Sequence, residues 1–309
     1  MRVFVTGASG HIGSAVVPEL LQAGHQVVGL ARSDSSAAAL QAAGADVRRG
    51  DLDDLDGLRE AAAAADGVIH LAFKHEALRS GDFVGAAAAD LAAIQAIAAA
   101  LEGSDKPFVS TSGTLTLTRA GITGRPGTEH DVIEAGAGPR VDAENTVVAL
   151  AERGVRSSVV RLPPIVHSTL DHHGFAPTLI SIARSKGVSG YVGDGSNRWP
   201  SVHTLDAARV YRLALEAVPA GSRLHAVADE GVPFRDIADV IGRHLNVPVT
   251  SIAADDAGEH FSFLGAFVGL DNPTSSAHTR ELLDWQPTHP GLLDDLDQGH
   301  YFDQAAEAA

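Results

Sequence analysis

Short apolar runs alternate with longer alanine-rich segments through the first half of the chain. The short runs predict buried strands, and the longer segments predict helices. In chain order, the predicted elements are strand 2–7, helix 13–24, strand 25–32, helix 35–44, strand 45–52, helix 55–65 and strand 66–73. Strands that alternate with helices in this way form a parallel sheet with helices on both faces. The pattern therefore predicts a doubly wound α/β fold.

The alternation continues and then becomes irregular after residue 166. It predicts a helix around 84–102, a strand over 106–113, a helix around 139–153, a strand over 156–166 and a later helix over 233–246. Gly24 and Gly44 follow predicted helices, where a left-handed cap is favoured. Pro18 lies inside the first helix and removes a backbone donor, so we expect a mild kink there.

Three glycines stand between the first predicted strand and the first predicted helix. Gly7, Gly10 and Gly13 form the pattern G-x-x-G-x-x-G. Glycines let the backbone turn tightly and approach a pyrophosphate, which the N–H groups at the helix N-terminus then bind. In this context the motif predicts a dinucleotide site. The contacts expected near these turns are Gly7, Ser9, Gly10, His11, Ile12 and Gly13, with Asp51 and Leu52 at the adenine end.

The end of the second strand bears on which dinucleotide binds. A carboxylate at this point would bond the ribose hydroxyls and repel a 2′-phosphate. The chain has Ala31 there, followed by Arg32 and Ser33, and a guanidinium suits a phosphate. We therefore expect NADP (NADPH), with NAD as the alternative. Arg32 could instead be a solvated arginine, and Asp34 could bind the ribose if the turn is one residue longer.

Several segments resemble, in family order, the extended and atypical short-chain dehydrogenase/reductases, which include the NAD-dependent epimerase/dehydratase group. The resembling segments are 5–13, 50–54, 68–73, 108–113, 159–166, 193–216 and 233–249. The resemblance implies an NADP-binding Rossmann domain over 1–166 and a mainly substrate-binding lobe over 167–309. Segments around 193–230 would return to the Rossmann domain. It also implies further cofactor contacts at Leu71, Ala72, Phe73, Lys74, Ser110, Arg140, Pro163 and Ile165.

The chain departs from this family at its catalytic motif. Members use a serine or threonine, a tyrosine, and a lysine four residues after the tyrosine. Ser112 matches the serine, whereas alignment of the following helix puts Gly136 at the tyrosine and Arg140 at the lysine. No Tyr-x-x-x-Lys occurs anywhere in the sequence. Gly138 and Pro139 suit the cap and first position of a helix, which leaves residue 136 in a loop.

A carbonyl reduction needs a proton as well as a hydride. Arg140 can donate hydrogen bonds to ribose hydroxyls but cannot exchange a proton near neutral pH. The candidate catalytic residues are Ser112, Lys74 and His167, the last two because they follow the ends of predicted strands, where doubly wound sheets bind ligands. Water could complete the relay. The other side chains considered are His130, His172, His173, Tyr191 and His203.

Composition narrows the possible functions. The chain has no cysteine, which excludes disulfides, thiolate catalysis and cysteine-ligated metals. Its net charge of −16 argues against nucleic-acid binding. The two histidines in 170–174 are adjacent, so they point apart on a strand and we expect no metal there. We expect no targeting segment and no membrane span, a cytoplasmic location, a small-molecule substrate and a possible homodimer.

Three functions fit these observations. The first is an NADP-dependent oxidoreductase that reduces a carbonyl or related group of a small organic molecule. The second is a non-catalytic NADP-binding or redox-sensing protein, which the missing Tyr-x-x-x-Lys would suit. The third is an epimerase or dehydratase, against which the missing tyrosine counts because this chemistry enlists it as a base. Retention of Ser112 and of the segment 161–166 favours the reductase.

Overall fold

The computed structural model describes residues 1–75 and 82–303, and its centre is a parallel sheet. The strands are β1 Arg2–Thr6, β2 Gln26–Ala31, β3 Asp46–Arg49, β4 Gly67–His70, β5 Pro107–Gly113, β6 Arg156–Leu162, β7 Ile165–His167, β8 Ser189–Val192, β9 Arg198–His203, β10 Ser222–His225, β11 Asp229–Pro233 and β12 Val249–Ile252. Seven of them form the central sheet in the order β10-β6-β5-β4-β1-β2-β3. The strand order reverses between β1 and β4. This confirms the predicted doubly wound fold, whose ligands bind at such a switch point.

Helices connect the strands and cover both faces of the sheet. They are α1 Gly13–Gln22, α2 Asp34–Ala42, α3 Leu55–Ala63, α4 Phe83–Leu101, α5 Leu115–Arg119, α6 Pro139–Ala149, α7 Phe175–Lys186, α8 Thr204–Ala217, α9 Phe234–Leu245, α10 Ala257–Phe261, α11 Ala277–Leu283 and α12 Leu292–Asp297. The caps predicted at Gly24 and Gly44 are confirmed, since both have a positive φ just beyond their helices. Pro18 lies inside α1.

Side chains that alternate along the strands divide the core into two layers. On one face, Val3 and Val5 of β1 pack with α1 and α8; on the other, Phe4 packs with α3, α4 and α6. Both layers are fully buried at these strand positions. The alternation follows from the geometry of a strand, in which successive side chains point to opposite faces.

The helix α4 is long and apolar enough to cross a membrane by length and composition alone. Half of its apolar window is buried inside the protein, where the helix packs against α3 and α6. Its one charged residue, Asp90, is also buried and hydrogen-bonded. A core helix explains this composition fully, since a helix that packs on several sides reads as apolar all round.

The later part of the chain forms a smaller lobe around two short sheets, β11-β9-β7 and β12-β8. Its core contains Trp199 and Phe234. The single strand predicted over 156–166 is wrong: β6 joins the central sheet, and β7 belongs to a different sheet. The break falls at Pro163 and Pro164, because proline has no N–H to donate to a sheet. The division into domains at residue 166 stays a prediction.

Candidate functional site

The loop of residues 7–13, which we call the first glycine loop, is closely packed. Gly7 has φ +67°, and a Cβ there would lie 2.7 Å from the Ala72 nitrogen. A Cβ at Gly13 would lie 2.2 Å from the Gly7 carbonyl oxygen. No larger residue fits these positions, so the loop runs tightly between β1, α1 and the segment after β4. The N-terminus of α1 thereby lies at the carboxyl edge of the sheet, where it suits a diphosphate.

The end of β2 carries a basic residue beside a helix N-terminus. Ala31 is buried, whereas Arg32 is exposed. Ser33 caps α2 by accepting a hydrogen bond from the Ser36 nitrogen. Asp34, the alternative ribose ligand, is the first residue of α2 and forms an ion pair with Arg49. Binding of a ribose by Asp34 would compete with this pair.

The segment after β3 is built from carboxylates. Asp51 Oδ1 accepts hydrogen bonds from the Asp53 and Asp54 nitrogens at 2.8 and 3.2 Å. Lys74 Nζ lies 2.7 Å from both carboxylate oxygens of Asp53. Lys74 follows β4 in the chain, and its ammonium pairs with this carboxylate in the loop beyond β3. The pairing argues against Lys74 as the proton donor to a substrate at Ser112.

Ser112 lies at the end of β5 and is only 4% exposed. Its Oγ is buried and makes no hydrogen bond of normal geometry within the described residues. The nearest charge is the Glu144 carboxylate, whose charged form Ser112 helps to favour. Burial opposes ionisation of Glu144, but the Arg161 guanidinium bonds it and holds its pKa below the usual value. To reach a substrate at the carboxyl edge of the sheet, the Ser112 side chain would have to turn away from Glu144.

The loop of residues 135–138, which we call the second glycine loop, leads into α6. As predicted, Gly138 caps this helix and Pro139 is its first residue. Gly136 has φ +87°, and its nitrogen donates to Asp142 Oδ1 at 2.7 Å. A side chain at residue 136 would be strained in this backbone conformation. The position aligned with the family's tyrosine therefore lies in a glycine turn ahead of the helix.

Arg140 lies in the first turn of α6 and faces the ends of β4 and β5. Its Nη1 donates to Asp90 Oδ2 at 2.5 Å, and its Nη2 donates to the Thr111 carbonyl oxygen at 2.8 Å. The guanidinium carbon lies 4.7 Å from the centre of the Phe73 ring. Burial opposes ionisation of Asp90, but a hydrogen bond from His70 and the charge of Arg140 lower its pKa. Arg140 is thus a fixed cation at the edge of the cleft.

His167 lies inside the protein, where its ring pairs with a carboxylate. The residue is fully buried at the end of β7. Its Nδ1 lies 2.9 Å from Asp295 Oδ2, and its Nε2 is buried without a partner among the described residues. The ring is therefore shielded from solvent in this structure, and the catalytic role of His167 stays a prediction. Pro163 and Ile165, the predicted nicotinamide contacts, are also buried.

The other candidate proton donors lie in three places: the His203 ring is 5.5 Å from the His167 ring, His172 and His173 lie near His11, and His130 and Tyr191 lie elsewhere. His203 stacks on His289 at 4.5 Å, and His130 contacts the His278 ring at 4.7 Å. Tyr191 lies under Arg235 in the smaller lobe. His172 and His173 are exposed. Within residues 1–75 and 82–303, no group of three or more metal-ligating side chains is arranged to hold an ion.

Sequence reasoning missed a contact between the first glycine loop and the C-terminal part of the chain. His11 Nε2 lies 2.9 Å from Thr204 Oγ1, and its Nδ1 lies 3.6 Å from Asp171 Oδ1. Burial lowers the pKa of His11 to about 4 and raises the pKa of Asp171 to about 7. The Tyr301 hydroxyl also donates to Asp171. Only the histidine in the motif hinted at this contact, because its partners lie far away in sequence.

Comparison with known proteins places this arrangement in a family. A model of the NAD dependent epimerase/dehydratase family matches residues 3–117. An uncharacterized protein of Schizosaccharomyces pombe is 47% identical over 98% of this chain and 100% of its own length. The 2-alkyl-3-oxoalkanoate reductase of Stenotrophomonas maltophilia is 28% identical over 80% of this chain and 77% of its own.

Solved structures share the same fold. A dTDP-glucose 4,6-dehydratase from Streptomyces venezuelae, with NAD and TYD bound, superposes with a TM-score of 0.78 at 20% identity. The match covers 99% of this chain and 98% of that one. Sequence motif, strand order and these similarities agree. Residues 3–117 belong to the NAD dependent epimerase/dehydratase family, and the chain as a whole has the fold of the solved dehydratase.

Proposed function

We propose that this chain is an NADP-dependent oxidoreductase that reduces a carbonyl or related group of a small organic molecule. A bound nicotinamide would supply the hydride. The observation that carries the proposal is Arg140, a fixed cation at the cleft edge. A fixed positive charge stabilises the negative charge that develops on a carbonyl oxygen during reduction. Arg140 exchanges no proton near neutral pH and so acts by its charge alone, while the absence of the tyrosine base counts against epimerase or dehydratase chemistry.

The first glycine loop supports the binding of a dinucleotide. At Gly7 and Gly13 a Cβ would collide with backbone atoms, so the loop packs tightly and holds the N-terminus of α1 at the carboxyl edge of the sheet, where a diphosphate would bind. Arg32 and the α2 N-terminus at Ser33 support a preference for a 2′-phosphate. An arginine and a helix N-terminus are both suited to phosphate. NAD remains the alternative cofactor.

Ser112 supplies the hydrogen bond to the substrate oxygen in this proposal. Its Oγ makes no hydrogen bond of normal geometry among the described residues, so a turn toward the substrate gives up only its interaction with the Glu144 carboxylate. Water provides the proton, because Lys74 is held by Asp53 and the His167 ring is buried. The substrate class is a small ketone, aldehyde or imine. A cytosolic location and a homodimer belong to the same proposal.

The test is single-turnover oxidation of NADPH by a panel of ketones, aldehydes and imines. We expect at least one compound to accelerate oxidation, and Ser112→Ala to slow that reaction about a hundredfold by removing a donor to the developing charge. Ser157→Ala is the matched control. Ser157 is another buried serine without a hydrogen-bond partner among the described residues, but it lies near the amino end of β6. Its variant should react at the wild-type rate.

A second candidate is a non-catalytic dinucleotide-binding or redox-sensing protein. The burial of Ser112 favours it, because the hydroxyl is not presented to the cleft. The glycine turn at residue 136 favours it too, since it replaces the family's proton carrier. If NADPH binds with micromolar affinity and no compound in the panel accelerates its oxidation, the reductase proposal fails and this candidate replaces it.

A further inference from the structure

A buried chain of polar side chains lies behind Arg140. Thr6 Oγ1 at the end of β1 lies 2.8 Å from His70 Nδ1 at the end of β4. His70 Nε2 lies 3.1 Å from Asp90 Oδ1 in α4. The other oxygen of Asp90 accepts the hydrogen bond from Arg140. The chain therefore connects two strand ends and two helices to one guanidinium.

The direction of these hydrogen bonds follows from their neighbours. Thr6 Oγ1 accepts a hydrogen bond from the Ala72 nitrogen at 3.3 Å. The Asp90 carboxylate can only accept, so His70 Nε2 donates to it; a ring that carries its one proton on Nε2 then accepts the Thr6 proton at Nδ1. Each ring nitrogen of His70 has one partner, and each oxygen of Asp90 has one donor. Such a fully satisfied buried network holds its members in a single arrangement.

The network holds the Arg140 guanidinium in place but uses only some of its N–H groups. His70 and Asp90 are 1% and 2% exposed, whereas the Arg140 side chain is 19% exposed. A guanidinium carries five N–H donors, and the bonds to Asp90 and Thr111 use two of them. The other three make no hydrogen bond within the described part of the chain. With Phe73 against one face, these donors are held at the ends of β4 and β5.

Stability of the fold does not by itself explain why the buried residue 90 is an aspartate. Burial of an ion pair costs about as much desolvation energy as the attraction returns, and an apolar pair of similar volume would pack as well. Removal of one partner is different, because it leaves a buried charge uncompensated. The position of the pair at the strand ends, where doubly wound sheets bind ligands, indicates that it serves the ligand.

We propose that Asp90 and His70 are positioning residues that hold Arg140 so that its remaining N–H groups meet the nicotinamide-side ribose of a dinucleotide. The inference rests on the proposed dinucleotide binding. It concerns one half of the ligand, because the groups suited to the adenosine half, Arg32 and Asp51, follow β2 and β3. The ends of β4 and β5 lie on the other side of β1 in the sheet.

The test compares two ligands, NADPH and its adenosine half, adenosine 2′,5′-bisphosphate. Dissociation constants are measured by calorimetry for the wild type, Arg140→Gln, Asp90→Asn and the double variant. We expect Arg140→Gln to weaken NADPH about tenfold or more, the worth of a hydrogen bond to a charged group. Asp90→Asn should weaken NADPH severalfold by releasing the guanidinium. The double variant should be no worse than Arg140→Gln, and affinity for the adenosine half should stay within twofold throughout.

Arg156→Gln is the matched control. Arg156 is another part-buried arginine that donates to backbone carbonyls, those of Leu215 and Val218, but it begins β6 at the amino edge of the sheet. The Arg156→Gln variant should bind NADPH and adenosine 2′,5′-bisphosphate with wild-type affinity. If Asp90→Asn does not fold, Arg140→Lys replaces it, since lysine keeps the charge but cannot reach both partners. That variant should weaken NADPH and spare the adenosine half.

The outcomes separate this inference from the proposed function. Equal losses for both ligands, or losses that add in the double variant, would overturn the positioning role and leave dinucleotide binding intact. Wild-type affinity for NADPH in Arg140→Gln would overturn it as well. A wild-type chain that binds neither ligand would overturn the proposed function, and the positioning role with it.

Discussion

The two glycine loops of the cleft use the same residue type for opposite reasons. In the first loop the glycines are crowded, since a Cβ at Gly13 would lie 2.2 Å from a carbonyl oxygen. In the second loop a Cβ at Gly136 or Gly138 would meet no atom within 4 Å. The second pair is glycine because of its backbone, with φ of +87° and +142°.

This difference shows which half of the site retains the family's design. The glycines of the first loop are fixed by packing, because a Cβ at Gly7 or Gly13 would collide with backbone atoms. The second loop needs only a turn that ends before α6, and that turn displaces the tyrosine. Arg140, at the lysine position, is then anchored by Asp90. The first loop therefore keeps the glycine motif of the family, whereas the second loop and Arg140 replace its tyrosine and lysine.

Substitution in the crowded loop should have the largest effect. We expect Gly13→Ala to lower the free energy of unfolding by about 3 kcal/mol, because a backbone shift is needed to relieve the contact. Affinity for NADPH should fall below detection in calorimetry. Gly258→Ala is the control, since a Cβ there meets nothing within 4 Å; it should leave both quantities unchanged. A stable Gly13→Ala that binds NADPH normally would refute the crowding argument.

Arg32→Ala tests the cofactor choice assigned to the first half of the site. Loss of a charged donor to a 2′-phosphate should weaken NADPH about tenfold to a hundredfold. Affinity for NADH, which has no such phosphate, should stay within about twofold if the arginine has no other role in binding. Both dissociation constants are obtained by fluorescence titration. Equal losses for the two cofactors would rule out a 2′-phosphate contact at Arg32.

Asp171→Asn tests how far the first loop depends on the C-terminal part of the chain, through His11. The pKa of Asp171 is raised to about 7, above its unfolded value near 3.9. The folded state therefore holds this proton more tightly, and the stability so gained is lost as the pH rises from about 4 through 7. Asparagine cannot ionise, so the variant should gain about 2 kcal/mol on the wild type between about pH 5 and pH 8.

Urea unfolding of both proteins at the two pH values measures that gain. His11, whose lowered pKa acts in the opposite direction, is present in both proteins, so the difference between them isolates Asp171. A difference that does not change with pH would mean that Asp171 is already ionised throughout this range.

Substitution in the open loop should have the smallest effect. Gly136→Ala places an L side chain at a positive φ, which costs about 1 kcal/mol of folding free energy. Nothing collides with the new methyl group, so NADPH affinity should stay within about twofold. Thermal melting and NADPH titration check the two expectations. A loss of binding as large as that of Gly13→Ala would erase the contrast between the loops.

The sequence was sufficient for features whose cause is local. The alternation of strands and helices, the caps at Gly24 and Gly44, and the start of α6 at Pro139 were all predictable, because each depends on a few neighbouring residues. The two prolines at 163 and 164 also indicate the break between β6 and β7, although the apolar run continues through them.

Long-range partners could not be predicted. Asp90 meets Arg140, and His11 meets Thr204, across 50 and 193 residues of sequence. Their pairing depends on how helices and strand ends come together in three dimensions. Lys74 and His167 were proposed as catalytic from their place after strands alone. The carboxyl ends of the strands are where such sheets bind ligands. This rule does not tell which side chains at those ends are already paired or buried.

The most direct test of the central claim is transfer of deuterium, in a single turnover, from NADPH that carries deuterium at both C4 positions. The reductase proposal predicts that a compound from the panel of ketones, aldehydes and imines acquires one deuterium on its former carbonyl or imine carbon. It also predicts a slower turnover than with unlabelled NADPH. Retention of both labels on the bound cofactor with every compound would contradict the claim.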